Sequence, residues 1–146
     1  MGDLGETHMC SVRVLEGQLP YRDFSYGYGP YAAYFNALIF KLFGIKMVVM
    51  KVALLFVVVF ISGMTYVIGR KVLPVYASLL AAVTVHIAFV PRTLVPYPDI
   101  YTTAIGLAVL FLLLSHAKQR RTSLVFITGV LCGIAVGFKI NAGLFL

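Results

Sequence analysis

VVMKVALLFVVVFISGMTYVI, residues 48–68, carries a single charged side chain, Lys51, and stops at Gly69-Arg70-Lys71. At 1.5 Å per residue, a helix of about 20 residues crosses a hydrocarbon core of ~30 Å, so this run has the length and composition of a membrane span. Three further apolar runs follow. One covers 72–90 and meets Pro91-Arg92, the next covers 100–115 with Tyr97 and Tyr101 at one end and His116 at the other, and the last covers 124–146, interrupted by Lys139 and Asn141. Inside a bilayer the backbone must satisfy its own hydrogen bonds, which restricts spans to helices or closed barrels. Four runs with tight connections predict an all-α fold, a multi-pass transmembrane bundle of antiparallel helices.

The composition agrees. Of 146 residues, 61% are hydrophobic and 12% charged, with a mean hydropathy of +0.97. Soluble domains hold roughly 45–50% apolar and about 25% charged residues. A formal charge of +7 would suggest nucleic acid in a soluble protein. Here the basic residues gather at the ends of apolar runs, where they orient helices, and no nucleic-acid partner is expected. Cys10 lies in the polar N-terminal part and Cys132 within the last apolar run, so both are expected as free thiols. The opening MGDLGETHMC lacks the regions of a secretory signal, Glu6 stands where a myristoylation signal needs Ser or Thr, and no Asn-x-Ser/Thr acceptor occurs.

Loop charge sets the expected orientation. Arg70 and Lys71 join the first two runs, and Lys118, Arg120 and Arg121 join the last two. Alternating topology puts both connections on one side, which the positive-inside rule makes cytoplasmic. All five acidic residues, Asp3, Glu6, Glu16, Asp23 and Asp99, then fall on the outer side of the cytoplasmic membrane, together with Arg13, Arg22, Lys41, Lys46 and Lys51.

Ahead of the first span, residues 1–47 read as an outer-face segment with interfacial helices, distinct from the spans in 48–146. PYAAYFNALIFKLF, residues 30–43, is too short to span and contains Asn36 and Lys41. Pro30 suits its first turn and Gly44 its end. Residues 5–15 predict a second amphipathic helix with Met9, Val12 and Leu15 on one face, ended by Gly17. Between them Arg22 and Asp23 are expected to fix the loop together with Tyr21 and Pro30, and Tyr26, Tyr28, Tyr31 and Tyr34 form an interfacial belt. In the last run Gly129, Gly133 and Gly137 recur at four-residue spacing, a pattern that lets helices approach closely. Its simplest use is packing within the bundle.

Three polar groups converge on the outer face in this topology: Asp3 and Glu6, then Arg92 and Asp99, then Lys139. Lys139 lies about 22 Å along the helix from Leu124, near the outer boundary. A lysine inside a span costs roughly 2.5–3.5 kcal/mol on insertion scales unless it snorkels or finds a partner. Carboxylates beside cations on an outward membrane surface suit sugar transfer from a polyprenyl phosphate, with a carboxylate as base and cations on the phosphate. A transporter site or ordinary interfacial charges share that composition.

VLEGQLPYRDFSYGYGPYAAYFNALIFKLFGIK, residues 14–46, resembles the first outer loop of multi-pass glycosyltransferases of the C-type fold, in the bacterial family 39 and ArnT-like group related to protein O-mannosyltransferases. PRTLVPYPDIYTTAIGLAVLFLLL, residues 91–114, is similar to that family's second outer loop, and GVLCGIAVGFKINAGLFL, residues 129–146, to its glycine-rich helix with a late lysine. The resemblance covers almost the whole chain in order. It implies Asp3 as the catalytic base, Asp99 as a second catalytic acidic residue positioning acceptor or metal, and Arg92 and Lys139 as donor-phosphate ligands, with Lys51 a further phosphate candidate. Position 4 is Leu, so the adjacent pair of acids often seen in the family is absent. The implied partners are a polyprenyl-phosphate-linked sugar donor, a lipid or glycan acceptor and the membrane lipids. Some members use a divalent metal, but no metal ligand is assigned, because His8, His86 and His116 lack ligand spacing and His86 reads as a satisfied core histidine.

The chain is expected to be the N-terminal portion of a larger C-type module. The competing readings are a non-enzymatic membrane protein, such as a transporter subunit or assembly factor, and an inactive truncated remnant.

Overall fold

The computed structural model describes residues 3–91, 97–119 and 122–139, except for the side chains of residues 3, 4, 118 and 119. Among these residues are six helices and no strand: α1 (Asp3–Leu15), α2 (Pro30–Phe43), α3 (Met47–Gly69), α4 (Val75–Phe89), α5 (Pro98–Gln119) and α6 (Thr122–Phe138). Helix α3 and residues 98–117 of α5 are long and apolar enough to cross a membrane. Helices α4 and α6 are apolar but shorter over their described lengths. Large apolar side chains such as Phe56, Leu80 and Phe126 point outward from the bundle. In water that would be a liability, whereas in lipid it is the expected exterior. The architecture is an all-α membrane bundle.

The short helices pack on the N-terminal side of the bundle. Helix α1 ends in a Schellman motif, in which the Gly17 N–H donates to the Val14 carbonyl and the Gln18 N–H to the Arg13 carbonyl, with Gly17 at φ 87°. The intervening loop then folds on itself. Asp23 accepts from the Leu19 N–H at 2.7 Å, Arg22 grips the same carboxylate with Nε at 2.9 Å, and the Tyr21 hydroxyl donates to the Tyr28 carbonyl. Those contacts hold the Asp23 carboxyl below its usual range, chiefly through Arg22 and then through the Leu19 N–H. Pro30 opens α2 within its first turn and Gly44, at φ 91°, closes it, matching the bounds expected from those two residues.

Two expectations change. Helix α1 turns Thr7, Cys10 and Ser11 inward, and of the expected apolar face Val12 and Leu15 pack against the core while Met9 is about half exposed. The Ser11 hydroxyl donates to the Thr7 carbonyl at 2.8 Å, so a small polar residue is buried without an unmet hydrogen bond. Tyr26 is not part of an exposed belt. It is buried against Phe24 and Tyr28 because the loop folds back over the α1–α2 junction, and burial pushes its hydroxyl pKa upward.

Helix α3 packs on α4 and α5, and α5 packs on α6. At the α3–α4 turn, a Cβ on Gly69 would stand 3.2 Å from the Ser78 hydroxyl oxygen, so glycine permits the contact. Helix α4 starts at Val75, three residues later than its apolar run, because Pro74 sits at the N-cap and residues 71–73 form the turn. His86 Nδ1 lies 3.1 Å from the Ser62 hydroxyl, a satisfied histidine between α3 and α4. At the same end as the α3–α4 turn, the Lys71 ammonium donates to the Ser115 hydroxyl near the end of α5 at 3.1 Å and sits 4.2 Å from the centre of the Phe111 ring.

Candidate functional site

At the opposite end of the bundle, α5 begins and α6 finishes. Asp99 occupies the first turn of α5, where helix N–H groups favour a carboxylate. Lys139 follows the last residue of α6 and still donates its backbone N–H to the Ala135 carbonyl at 3.0 Å. The Lys139 Nζ lies 2.5 Å from Asp99 Oδ1. The side chains are 32% and 48% exposed respectively, so the pair is open to an incoming group while sitting at a protein surface. An intramembrane lysine that finds a carboxylate partner avoids much of the cost of insertion.

The pair stands beside an aromatic cluster. The Phe138 ring lies 5.2 Å from Tyr101, 5.9 Å from Phe35 and 6.2 Å from Tyr31. Tyr101 is two residues from Asp99, and Phe138 is adjacent to Lys139. Packing of this cluster therefore controls both members of the ion pair.

The loop before α2 is anchored to the same place. Gly29 donates its N–H to the Phe138 carbonyl at 3.1 Å, satisfying a carbonyl at the end of α6. A Cβ at Gly29 would fall 2.1 Å from the Gly137 carbonyl oxygen, and one at Gly137 would fall 2.3 Å from the Tyr31 ring. Of the three spaced glycines in α6, Gly137 makes a close approach, to α2, whereas a methyl group added at Gly129 or Gly133 would meet nothing within 4 Å among the described residues.

An apolar groove of about 490 Å³ runs between α2 and α3, with Phe35, Ile39 and Phe43 on one wall, Val52 and Phe56 on the other, and Tyr101 at one end. A neighbouring depression of about 380 Å³ shares Phe35, Phe56 and Tyr101 and reaches Phe138, the residue next to Lys139. Asp99 and Lys139 line neither depression, but each lies within two residues in sequence of a side chain that does, Tyr101 and Phe138 respectively.

Asp99 and Lys139 are the two sequence-derived site residues that the structure brings together. Lys51 is exposed on the early part of α3 and makes no hydrogen bond or ion pair with them among the described residues. Asp3 is the first residue of α1 and its side chain lies outside the described residues, as does the whole of Arg92. Tyr21, Arg22 and Asp23 are occupied with their own turn, and Pro30 starts α2. Among the described residues no three His, Cys, Asp or Glu side chains gather for a metal ion, and the Asp99 carboxylate carries an ammonium partner instead.

Sequence reasoning missed Gly29, Asn36, Tyr101 and Phe138 as residues that shape the site. The signals were present in part: Gly29 precedes Pro30 at a turn, and Asn36 interrupts an apolar run. Their contacts join segments far apart in sequence, which periodicity alone does not pair.

Residues 28–146 match the family described as dolichyl-phosphate-mannose-protein mannosyltransferase. No curated protein and no solved structure matches the chain. The matched stretch contains Lys51, Asp99 and Lys139, whereas Asp3 and the turn at residues 21–23 precede it. The chain belongs to the dolichyl-phosphate-mannose-protein mannosyltransferase family, membrane glycosyltransferases of the C-type fold.

Proposed function

We propose that this chain contributes to sugar transfer from a polyprenyl-phosphate donor to a lipid or glycan acceptor at the outer face of the cytoplasmic membrane, as part of a multi-pass enzyme of the cell envelope. The observation that carries the reading is the partly exposed Asp99–Lys139 pair, whose chain neighbours Tyr101 and Phe138 line apolar depressions of the bundle. A polyprenyl phosphate joins a long hydrocarbon chain to an anionic head, and an apolar surface together with a cation complements both parts.

In the proposed reaction, Asp3 accepts the proton of the acceptor hydroxyl as that oxygen bonds to the anomeric carbon of the sugar. The bond from that carbon to the phosphate oxygen breaks, and the electron pair leaves with the phosphate. Lys139 and Arg92 hold the growing negative charge, and Lys51 attracts the donor from the membrane surface. Asp99 keeps Lys139 in place before the donor arrives. When the phosphate takes over the ammonium, Asp99 becomes available to accept a hydrogen bond from the acceptor.

Membranes containing the protein, supplied with a radiolabelled polyprenyl-phosphate sugar, test this directly. Asp3→Asn is expected to lower transfer by about 10²–10⁴-fold, the usual contribution of a general base. Asp99→Asn lowers turnover, and Lys139→Gln both raises the KM for the donor and lowers turnover, because a ligand is lost from the bound phosphate and from its growing charge. Unchanged turnover in Asp3→Asn would remove it as the base. Unchanged donor KM in Lys139→Gln would remove the phosphate role.

A further inference from the structure

Asn36 is fully buried in α2, flanked by Phe35, Ala37, Leu38 and Ile39. A buried polar group without a partner costs about 1–3 kcal/mol, and the Asn36 Nδ2 has no hydrogen-bond partner among the described residues. An apolar side chain would avoid that cost. What the amide does provide is Oδ1, which accepts from the Tyr101 hydroxyl at 2.7 Å and connects α2 to the first turns of α5.

The register of α5 gives that bond its consequence. Tyr101 follows Asp99 by two residues, which is about 200° around a helix of 3.6 residues per turn. The two side chains leave different sides of the helix, so fixing one fixes where the other points. Ring packing against Phe35 at 5.3 Å and Phe138 at 5.2 Å holds Tyr101 in place but tolerates sliding. A hydrogen bond is directional and removes that freedom.

We propose that Asn36 and Tyr101 are positioning residues, whose hydrogen bond fixes the rotation of the start of α5 on α2 and so aims the Asp99 carboxylate at Lys139. The proposal rests on the reading of Asp99 as an acidic group of the transfer site. It makes α2 a brace for the reacting end of the bundle: the Gly29 N–H holds the end of α6 and Asn36 holds the start of α5. Both halves of the ion pair are then referenced to one short helix.

The test compares Tyr101→Phe, Asn36→Leu and the double variant with Asp99→Asn in the membrane-embedded protein, following transfer from a radiolabelled polyprenyl-phosphate sugar. Tyr101→Phe keeps the ring and removes the hydroxyl. Its kcat is expected to fall about 10-fold to 100-fold, the scale of a misplacement near 1 Å, with the donor KM nearly unchanged. The double variant should be no worse than the poorer single variant, because both remove one bond. Adding Tyr101→Phe to Asp99→Asn should cause no further loss.

Wild-type kcat in Tyr101→Phe, with Asp99→Asn impaired, would overturn the positioning role and leave the transfer reading standing. Full turnover in Asp99→Asn, or no transfer by the unmodified protein, would overturn the reading of the site and the proposal with it. Val58→Ala, buried in α3, is the control for general loosening. It should lower thermal stability without lowering kcat per folded molecule, and a kcat loss equal to that of Tyr101→Phe would overturn the selective role.

Discussion

A methyl group at position 29 would meet the Gly137 carbonyl oxygen at 2.1 Å and the Phe138 carbonyl carbon at 2.8 Å, both of them backbone. Neither can turn aside, so Gly29→Ala must push α2 away from α6 and stretch the bond from the Gly29 N–H to the Phe138 carbonyl. At position 137 the obstacle is the Tyr31 ring, a side chain about half exposed that can turn aside at the cost of its edge contact with Phe138. The two substitutions add the same methyl group, yet they differ in what must yield. Gly29→Ala is expected to lower stability by about 1–3 kcal/mol, the usual scale of overpacking, with a loss of turnover because Lys139 shifts. Gly137→Ala should cost less on both measures. Thermal unfolding in detergent together with donor turnover checks this, and a larger loss in Gly137→Ala would show that Tyr31 is the rigid partner.

Helix α2 shows how much an element reveals in sequence. Pro30 and Gly44 mark its ends through fixed backbone preferences, and the structure places the helix between those marks. Lys139 was legible as a candidate because an intramembrane cation is costly, and Asp99 through the outer-face topology and the resemblance; the bond between them is what the structure adds. Tyr101 and Phe138 carry no such penalty, so apolar patterning absorbs them although they shape the site. Helix α1 was legible in part. Of its apolar stripe, Val12 and Leu15 pack on the core and Met9 does not, while the fully buried position is Ser11, whose hydroxyl the Thr7 carbonyl satisfies. Ser11→Leu is therefore expected to destabilise the α1–α2 pair by about 1–3 kcal/mol through overpacking. Met9→Gln, at an exposed position, should fall within about 0.5 kcal/mol of the parent. Unfolding curves for the two variants measure the difference, and the reverse order would mean that Met9, and not Ser11, sits in the packed face of α1.

At the scale of the molecule, the bundle separates two kinds of charge. Arg70 and Lys71 lie at the α3–α4 turn, and the bond from Lys71 to Ser115 brings the late part of α5 to that end. The Asp99–Lys139 pair lies at the other end, with the anchored loop of α2. The turn 70–74 contains Arg70 and Lys71, and the sequence stretch 118–121 contains Lys118, Arg120 and Arg121, with no acid in either, which is the pattern that retains a segment in the cytoplasm. Arg13, Arg22, Lys41, Lys46 and Lys51 belong to the opposite side and pull against that assignment. Labelling of single cysteines resolves the contest. In a background with Cys10 and Cys132 replaced by Ser, a membrane-impermeant maleimide applied to intact cells should label Ser25→Cys, at an exposed loop position, and spare Arg70→Cys until the membrane is opened. Labelling of Arg70→Cys in intact cells with Ser25→Cys protected would invert the bundle. The ion pair would then face the cytoplasm, and the sugar donor would have to be supplied from that side.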